Sequence, residues 1–139
     1  MGKNMRKQKA VIDAWNILNL EIPRQQKPRI KIIYAVIDAV KASGREPILV
    51  VEAATLSTVG DPENLENLLA ESFVLSIPDG SDSSRAVLET AEKRDAIVVS
   101  NNTYSDYWSE YPWVELCRLP VALVDGHVCL LEGRFRKAG

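Results

Sequence analysis

The sequence predicts an α/β fold: a three-layer α/β/α sandwich with a mostly parallel central sheet and a terminal β-hairpin. Two observations carry this. Short apolar runs rich in β-branched residues alternate with stretches whose apolar residues recur every three or four positions. Strands that alternate with helices pair in parallel, with the helices packed on both faces of the sheet. Near the end of the chain an Asp125-Gly126 pair stands between two apolar runs, which marks an antiparallel hairpin.

The elements follow in order. Residues Lys9 to Asp13 (KAVID) read as a short buried strand, and a polar, proline-marked loop runs from Trp15 to Pro28. Over 29–43, Ile30, Ile33, Ile37 and Val40 repeat at helical spacing and Gly44 supplies the stop. Pro47 to Val51 has no helical period and reads as a second strand. Asp61-Pro62 opens a short helix through Leu65, Leu68 and Leu69, because Asp caps and Pro suits the first turn. Phe73 to Ile77 is a third strand, and Pro78-Asp79-Gly80 a turn. Ser81 or Asp82 caps a helix with Ala86, Val87, Thr90 and Ala91 on one face, and Ala96 to Val99 is a fourth strand. The hairpin strands are expected at Val121 to Val124 and Val128 to Leu131.

Length and composition narrow the function classes. With 139 residues, 46% of them hydrophobic, the chain suits one globular domain with a real core, expected over 9–132 between a basic, flexible N-terminus (1–8) and a basic C-terminal tail (133–139). Cys117 and Cys129 alone cannot staple a chain this long. No apolar run approaches a membrane span or a secretory leader, so no membrane partner and a cytoplasmic location are expected. One histidine and two distant cysteines give no zinc site. Neither a P-loop nor a Gly-rich dinucleotide motif is present. The net charge of −2 argues against bulk attraction to nucleic acid, but the charge is segregated: four basic residues fall in 3–9, four in 24–31 and three in 134–137.

In an open parallel sheet, ligands bind outside the carboxyl ends of the strands. The first strand ends on Asp13, with Asn16 three residues on. Glu52 follows the second, Asp82 stands at the helix start after the third, and Asn101, Asn102 and Asp106 follow the fourth. Carboxylates converging on one edge repel one another unless a hard divalent cation neutralises them, and Mg²⁺ or Mn²⁺ bound through oxygens would then take phosphate as a further ligand. The matching chemistry is metal-assisted hydrolysis of a phosphodiester. Singly, each residue also has a plain reading: Asp82 as a helix cap, Glu52 as a solvated loop charge. Asp13 differs, since an acid that directly follows a buried strand is costly unless paired or ligated.

Three segments carry a family resemblance: VIDAWN, PDGSDSSRAVLETAEKRDAIVVSNNTYSD and YPW. They resemble the PIN-like ribonucleases of the NYN superfamily, in particular the Regnase-type branch, over about residues 9–126. DAIVVSNNTYSD is the most specific piece. The resemblance implies a PIN-like sandwich and divalent-metal-dependent endonucleolytic cleavage of RNA. It matches Asp13 to the first metal-binding acid, Asn16 to the amide that positions it or the substrate, Asp82 to the first acid of the helix-start motif and Asp106 to the last acid of the SND-type motif. Glu52 falls where some relatives carry an acid after the second strand. Three departures stand out: relatives carry Asp where this chain has Ser84 and Asn102, and Trp15 replaces a small residue. The resemblance therefore implies catalytic Asp13, Asp82, Asp106 and Asn102, and a metal on Asp13, Asp82, Asp106 and Glu52. The alternative is a catalytically impaired PIN-like module that binds RNA or a protein partner.

Substrate contacts are expected from Asn16, Ser84, Arg85, Arg24, Lys27, Asn101 and Tyr104. Arg24, Lys27, Arg29 and Lys31 leave the same sheet edge as Asp13 and suit a polyanion, or form a solvated face. Tyr104, Tyr107, Trp108, Tyr111 and Trp113 offer rings on which unpaired bases stack, or else pack the core. Trp15 could line the cleft. The apolar helix 29–43 also permits a homodimer.

Overall fold

The computed structural model describes residues 7–20, 29–52, 54, 59–60 and 62–132. Five parallel strands, β1 (Lys9–Asp13), β2 (Glu46–Glu52), β3 (Val74–Ile77), β4 (Ile97–Val99) and β5 (Arg118–Leu119), form one sheet in the order β3-β2-β1-β4-β5. The chain starts at the centre of the sheet and winds outward to one side and then the other. The order therefore reverses between β1 and β4, where α/β sheets open a crevice.

Side-chain alternation along the strands makes the two faces. Ala10, Ile12, Leu49, Val51, Ile97 and Val99 point into one core. Val11, Ile48, Val50 and Val98 point into the other. The first core is covered by α1 (Ala14–Leu18), α2 (Lys31–Ala42), Leu68 of α3 (Leu65–Leu69) and the hairpin, whose Val121, Val128 and Leu130 join it. The second is covered by α4 (Ser83–Arg94), through Val87, Leu88 and Ala91, and by Tyr104, Tyr111 and Val114, the last at the start of α5 (Val114–Cys117). The predicted three-layer α/β/α sandwich with a parallel sheet is the observed architecture.

α2 buries Ile33, Val36, Ile37 and Val40. It ends in a Schellman arrangement: Gly44 has φ +86°, the Gly44 N–H donates to the Lys41 carbonyl at 3.0 Å, and the Arg45 N–H donates to the Val40 carbonyl at 3.2 Å. α2 packs against β2, α1 and the hairpin strand β7 (His127–Leu130). Its apolar stripe is thus covered by its own chain. The hairpin strands are β6 (Val121–Val124) and β7 (His127–Leu130). Asp125 and Gly126 both have positive φ, 51° and 79°, the backbone of a type I′ turn.

Three short elements, α1, α5 and β5, were not expected. The loop predicted from Trp15 opens instead with α1, which buries Ala14, Ile17 and Leu18 at helical spacing. The two-residue β5 extends the sheet beyond β4; so short a segment has no readable alternation.

Candidate functional site

The carboxyl ends of β1 and β4 lie side by side, with Ile12 paired to Val99. The next residues, Asp13 and Ser100, therefore lean toward the same core, and both are buried. Asp13 is 4% exposed and lies at the centre of a hydrogen-bond network. Its Oδ1 accepts the Asn16 backbone N–H at 3.3 Å, which caps α1. Its Oδ2 accepts the Tyr104 hydroxyl at 2.5 Å and the Ser100 hydroxyl at 3.4 Å. Burial pushes the Asp13 carboxyl above the usual carboxylate range, against the lowering effect of the bonds from Tyr104, Asn16 and Ser100. Burial and the adjacent Asp13 likewise push the Tyr104 phenol far up, so it stays a donor.

The network continues outward through amides. Asn16 Oδ1 accepts the Asn101 backbone N–H at 2.8 Å. The Asn101 side chain bonds both backbone groups of Val121, at 2.8 and 2.7 Å, and so pins the hairpin to the sheet edge. The Asn102 N–H donates to Ser100 Oγ at 3.1 Å, and Asn102 Oδ1 accepts the Tyr104 N–H at 2.9 Å. This last bond supports Tyr104 in a left-handed conformation, φ 56°. Asn102 Nδ2 lies 3.4 Å from Ser84 Oγ. The two positions expected to depart from acids are therefore neighbours, and they bond to each other.

A second cluster lies at the start of α4, beside Ser84. Asp82 caps the helix by accepting the Arg85 N–H at 3.0 Å, and its Oδ2 accepts the Tyr107 hydroxyl at 2.5 Å. Those bonds, the Tyr107 one foremost, hold Asp82 below the usual carboxylate range. Arg85 grips Glu110 through two bonds of 2.7 and 2.9 Å and lies 5.3 Å from the centre of the Tyr107 ring. That pairing lowers the Glu110 carboxyl and raises the Arg85 guanidinium.

The structure brings Asp13, Asn16, Ser84, Asn101, Asn102 and Tyr104 together, with Asp82 and Arg85 beside them. Other expectations change. Glu52 does not join Asp13: its Oε2 accepts the Gly80 N–H at 2.5 Å and braces the turn after β3. Asp106 is exposed on a 3-10 turn (Ser105–Tyr107), outside both networks. Tyr104 cannot stack on a base, because its ring is 2% exposed and its hydroxyl is held by Asp13. The Asn101 amide is committed to Val121 rather than free for substrate. Arg24 and Lys27 lie outside the described residues. Sequence reasoning missed Ser100 and the two tyrosine–aspartate bonds. The first could have been found from strand register, since a residue one past Val99 must lie beside Asp13.

The donor set also tests the expected cation. Among the described residues no three His, Cys, Asp or Glu side chains group as metal ligands. The network around Asp13 supplies one carboxylate, its other members Asn16, Ser84, Ser100, Asn102 and Tyr104 being neutral, and the carboxylate already accepts three hydrogen bonds. A hard dication is held by the count of anionic oxygens, so these residues fit Mg²⁺ or Mn²⁺ poorly.

Open parallel sheets of this kind bind their ligands at the switch point, which here lies between β1 and β4. The chain matches the Zc3h12a-like ribonuclease NYN domain over residues 6–127, and it belongs to that family. Its fold is similar to a crystal structure titled nuclear proteinaceous RNase P 2 (PRORP2) from A. thaliana, with a TM-score of 0.74 and 18% identity over 90% of this chain and 30% of that one. A second structure of the Arabidopsis thaliana nuclear protein-only RNase P 2 gives a TM-score of 0.67 and 18% identity over 92% and 30%. The chain thus spans about a third of the length of those proteins. No curated protein matches it.

Proposed function

We propose that this NYN domain engages RNA at the crevice between β1 and β4 and that metal-dependent cleavage there is impaired. Membership of a ribonuclease family supports RNA as the ligand class. The concentration of basic residues in 24–31, on the segment that follows α1, supports it too. The observation that carries impairment is the Ser84–Asn102 contact. These two neutral side chains face each other beside Asp13, and neither can offset the charge of a cation.

The rival reading is the metal-dependent endoribonuclease, hydrolysing RNA phosphodiesters through Asp13, Asp82 and Asp106. End-labelled RNA incubated with Mn²⁺ separates the two. The wild-type chain is expected to match the protein-free blank. The double variant Ser84→Asp/Asn102→Asp is expected to gain Mn²⁺-dependent cleavage and a rise in melting temperature with Mn²⁺. Cleavage by the wild type that disappears in Asp13→Asn would overturn the proposal in favour of the rival.

A further inference from the structure

Six aromatic side chains stand in the segments that leave the carboxyl ends of β1 and β4, and their environments differ. Tyr104 and Tyr111 are buried, 2% and 6% exposed. Tyr107 is half-buried, with the Arg85 guanidinium over its ring. Trp113 packs edge-on against Tyr111 with ring centroids 6.0 Å apart, and its indole N–H donates to Glu92 at 3.1 Å. Trp15 and Trp108 are left. They are 52% and 39% exposed, in positions where large apolar rings are costly to leave in water.

Their placement gives that exposure a direction. Trp15 sits in the first turn of α1, two residues past Asp13. Trp108 closes the 3-10 turn that follows β4. β1 and β4 are neighbours in the sheet and flank its switch point, so the two indoles stand on the segments that leave either side of the crevice. The Trp108 indole N–H is already spent on the Thr103 carbonyl, at 2.9 Å. This bond anchors the ring and leaves its π-face, rather than a donor, to offer. A face without a free donor recognises any planar base and reads no sequence.

We propose that Trp15 and Trp108 are stacking platforms for unpaired bases, so that the ligand is single-stranded RNA bound without strong sequence preference. This rests on the RNA reading above. Duplex RNA keeps its bases stacked inside the helix and cannot present them to the rings. The proposal names no role for either indole in cleavage.

The test uses the full chain and two fluorescent probes, an unstructured oligouridine of about ten nucleotides and a blunt RNA duplex. Binding is followed by anisotropy, and melting temperatures confirm that each variant is folded. The wild type is expected to bind the single strand about ten-fold more tightly than the duplex, with quenching of indole fluorescence. Trp15→Ala and Trp108→Ala are each expected to weaken single-strand binding by about five- to ten-fold with an unchanged salt slope, because stacking releases no counterions. Trp108→Phe should keep most of the affinity, and Trp113→Phe all of it. Equal affinity for the two probes, or unchanged binding by both alanine variants, overturns the stacking proposal while leaving RNA binding intact. Failure to bind either probe removes the RNA reading as well, and leaves the exposed indoles to a protein partner.

Discussion

One local device appears twice in this domain with opposite electrostatic results. Asp13 and Asp82 each cap the helix that follows, α1 and α4, and each accepts a tyrosine hydroxyl at 2.5 Å. The donors, Tyr104 and Tyr107, are three residues apart in one segment. Yet Asp13 is pushed above the usual carboxylate range and Asp82 held below it. The hydrogen bonds are alike; the burial is not. Asp13 is 4% exposed, whereas the Asp82 side chain keeps 46% of its surface in water beside the Arg85 cation. At Asp13 lost hydration outweighs what the donors return, and at Asp82 there is little hydration to lose.

The contrast predicts unequal costs for the same deletion. Tyr104→Phe leaves a buried carboxylate with one donor fewer and no water to replace it, and should destabilise the domain by about 2 kcal/mol. Tyr107→Phe lets water take the vacated site on Asp82 and should cost no more than about 0.5 kcal/mol. Urea titrations of the two variants measure the difference. Equal losses would mean that the two pairs are equally solvated, and the contrast would collapse.

The opposite shifts also predict opposite pH slopes. The stabilisation Asp82 provides is present above its unfolded pKa of about 4 and is lost as pH falls through its lower folded value. The stabilisation linked to Asp13 is present below an unfolded pKa of about 4 and is lost as pH rises through its higher folded value. Asp82→Asn should therefore lose most against the wild type at neutral pH and converge with it in acid. Asp13→Asn should instead gain on the wild type as pH rises from acid toward neutrality. Melting temperatures across that range, taken as differences from the wild type, give the two curves; parallel curves would refute the assignment.

The pair also shows what a sequence can reveal about such a site. The order of strands and helices, the Asp125-Gly126 turn and the lone acid after a buried strand were all readable, since hydrophobic period and turn chemistry are local. Asp13, Asn16, Asn101 and Asn102 were placed at one sheet edge on that logic and Ser84 by the family resemblance, and the structure joins them. What sequence could not give was the sign of each environment. Tyr104 and Tyr107 look equivalent in TYSDY, yet one ring fills the core and the other lies under an arginine. Glu52 looked like a ligand because it ends a strand, but β2 carries it two residues beyond the Val50 that pairs with Asp13, to the turn at Gly80. α1 escaped because its five residues give a single i, i+3, i+4 set, too little to tell a helix from a loop.

The smallest expected effect falls on the exposed side of the comparison. Arg85 and Glu110 keep 39% and 51% of their side-chain surface in water, where an ion pair adds little to stability. Glu110→Gln should leave the melting temperature where it was. Its consequence is electrostatic: the Glu110 carboxylate occupies the fork of donors that Arg85 would otherwise present to a phosphate, since both anions accept two parallel N–H bonds. With Arg85 released beside Ser84, single-stranded RNA should bind about two- to three-fold more tightly, with a steeper dependence on salt. Arg85→Gln in the same background should erase both changes. If Glu110→Gln binds RNA like the wild type, Arg85 serves the fold of its own loop, and the crevice meets RNA only on the side of Asp13 and the indoles.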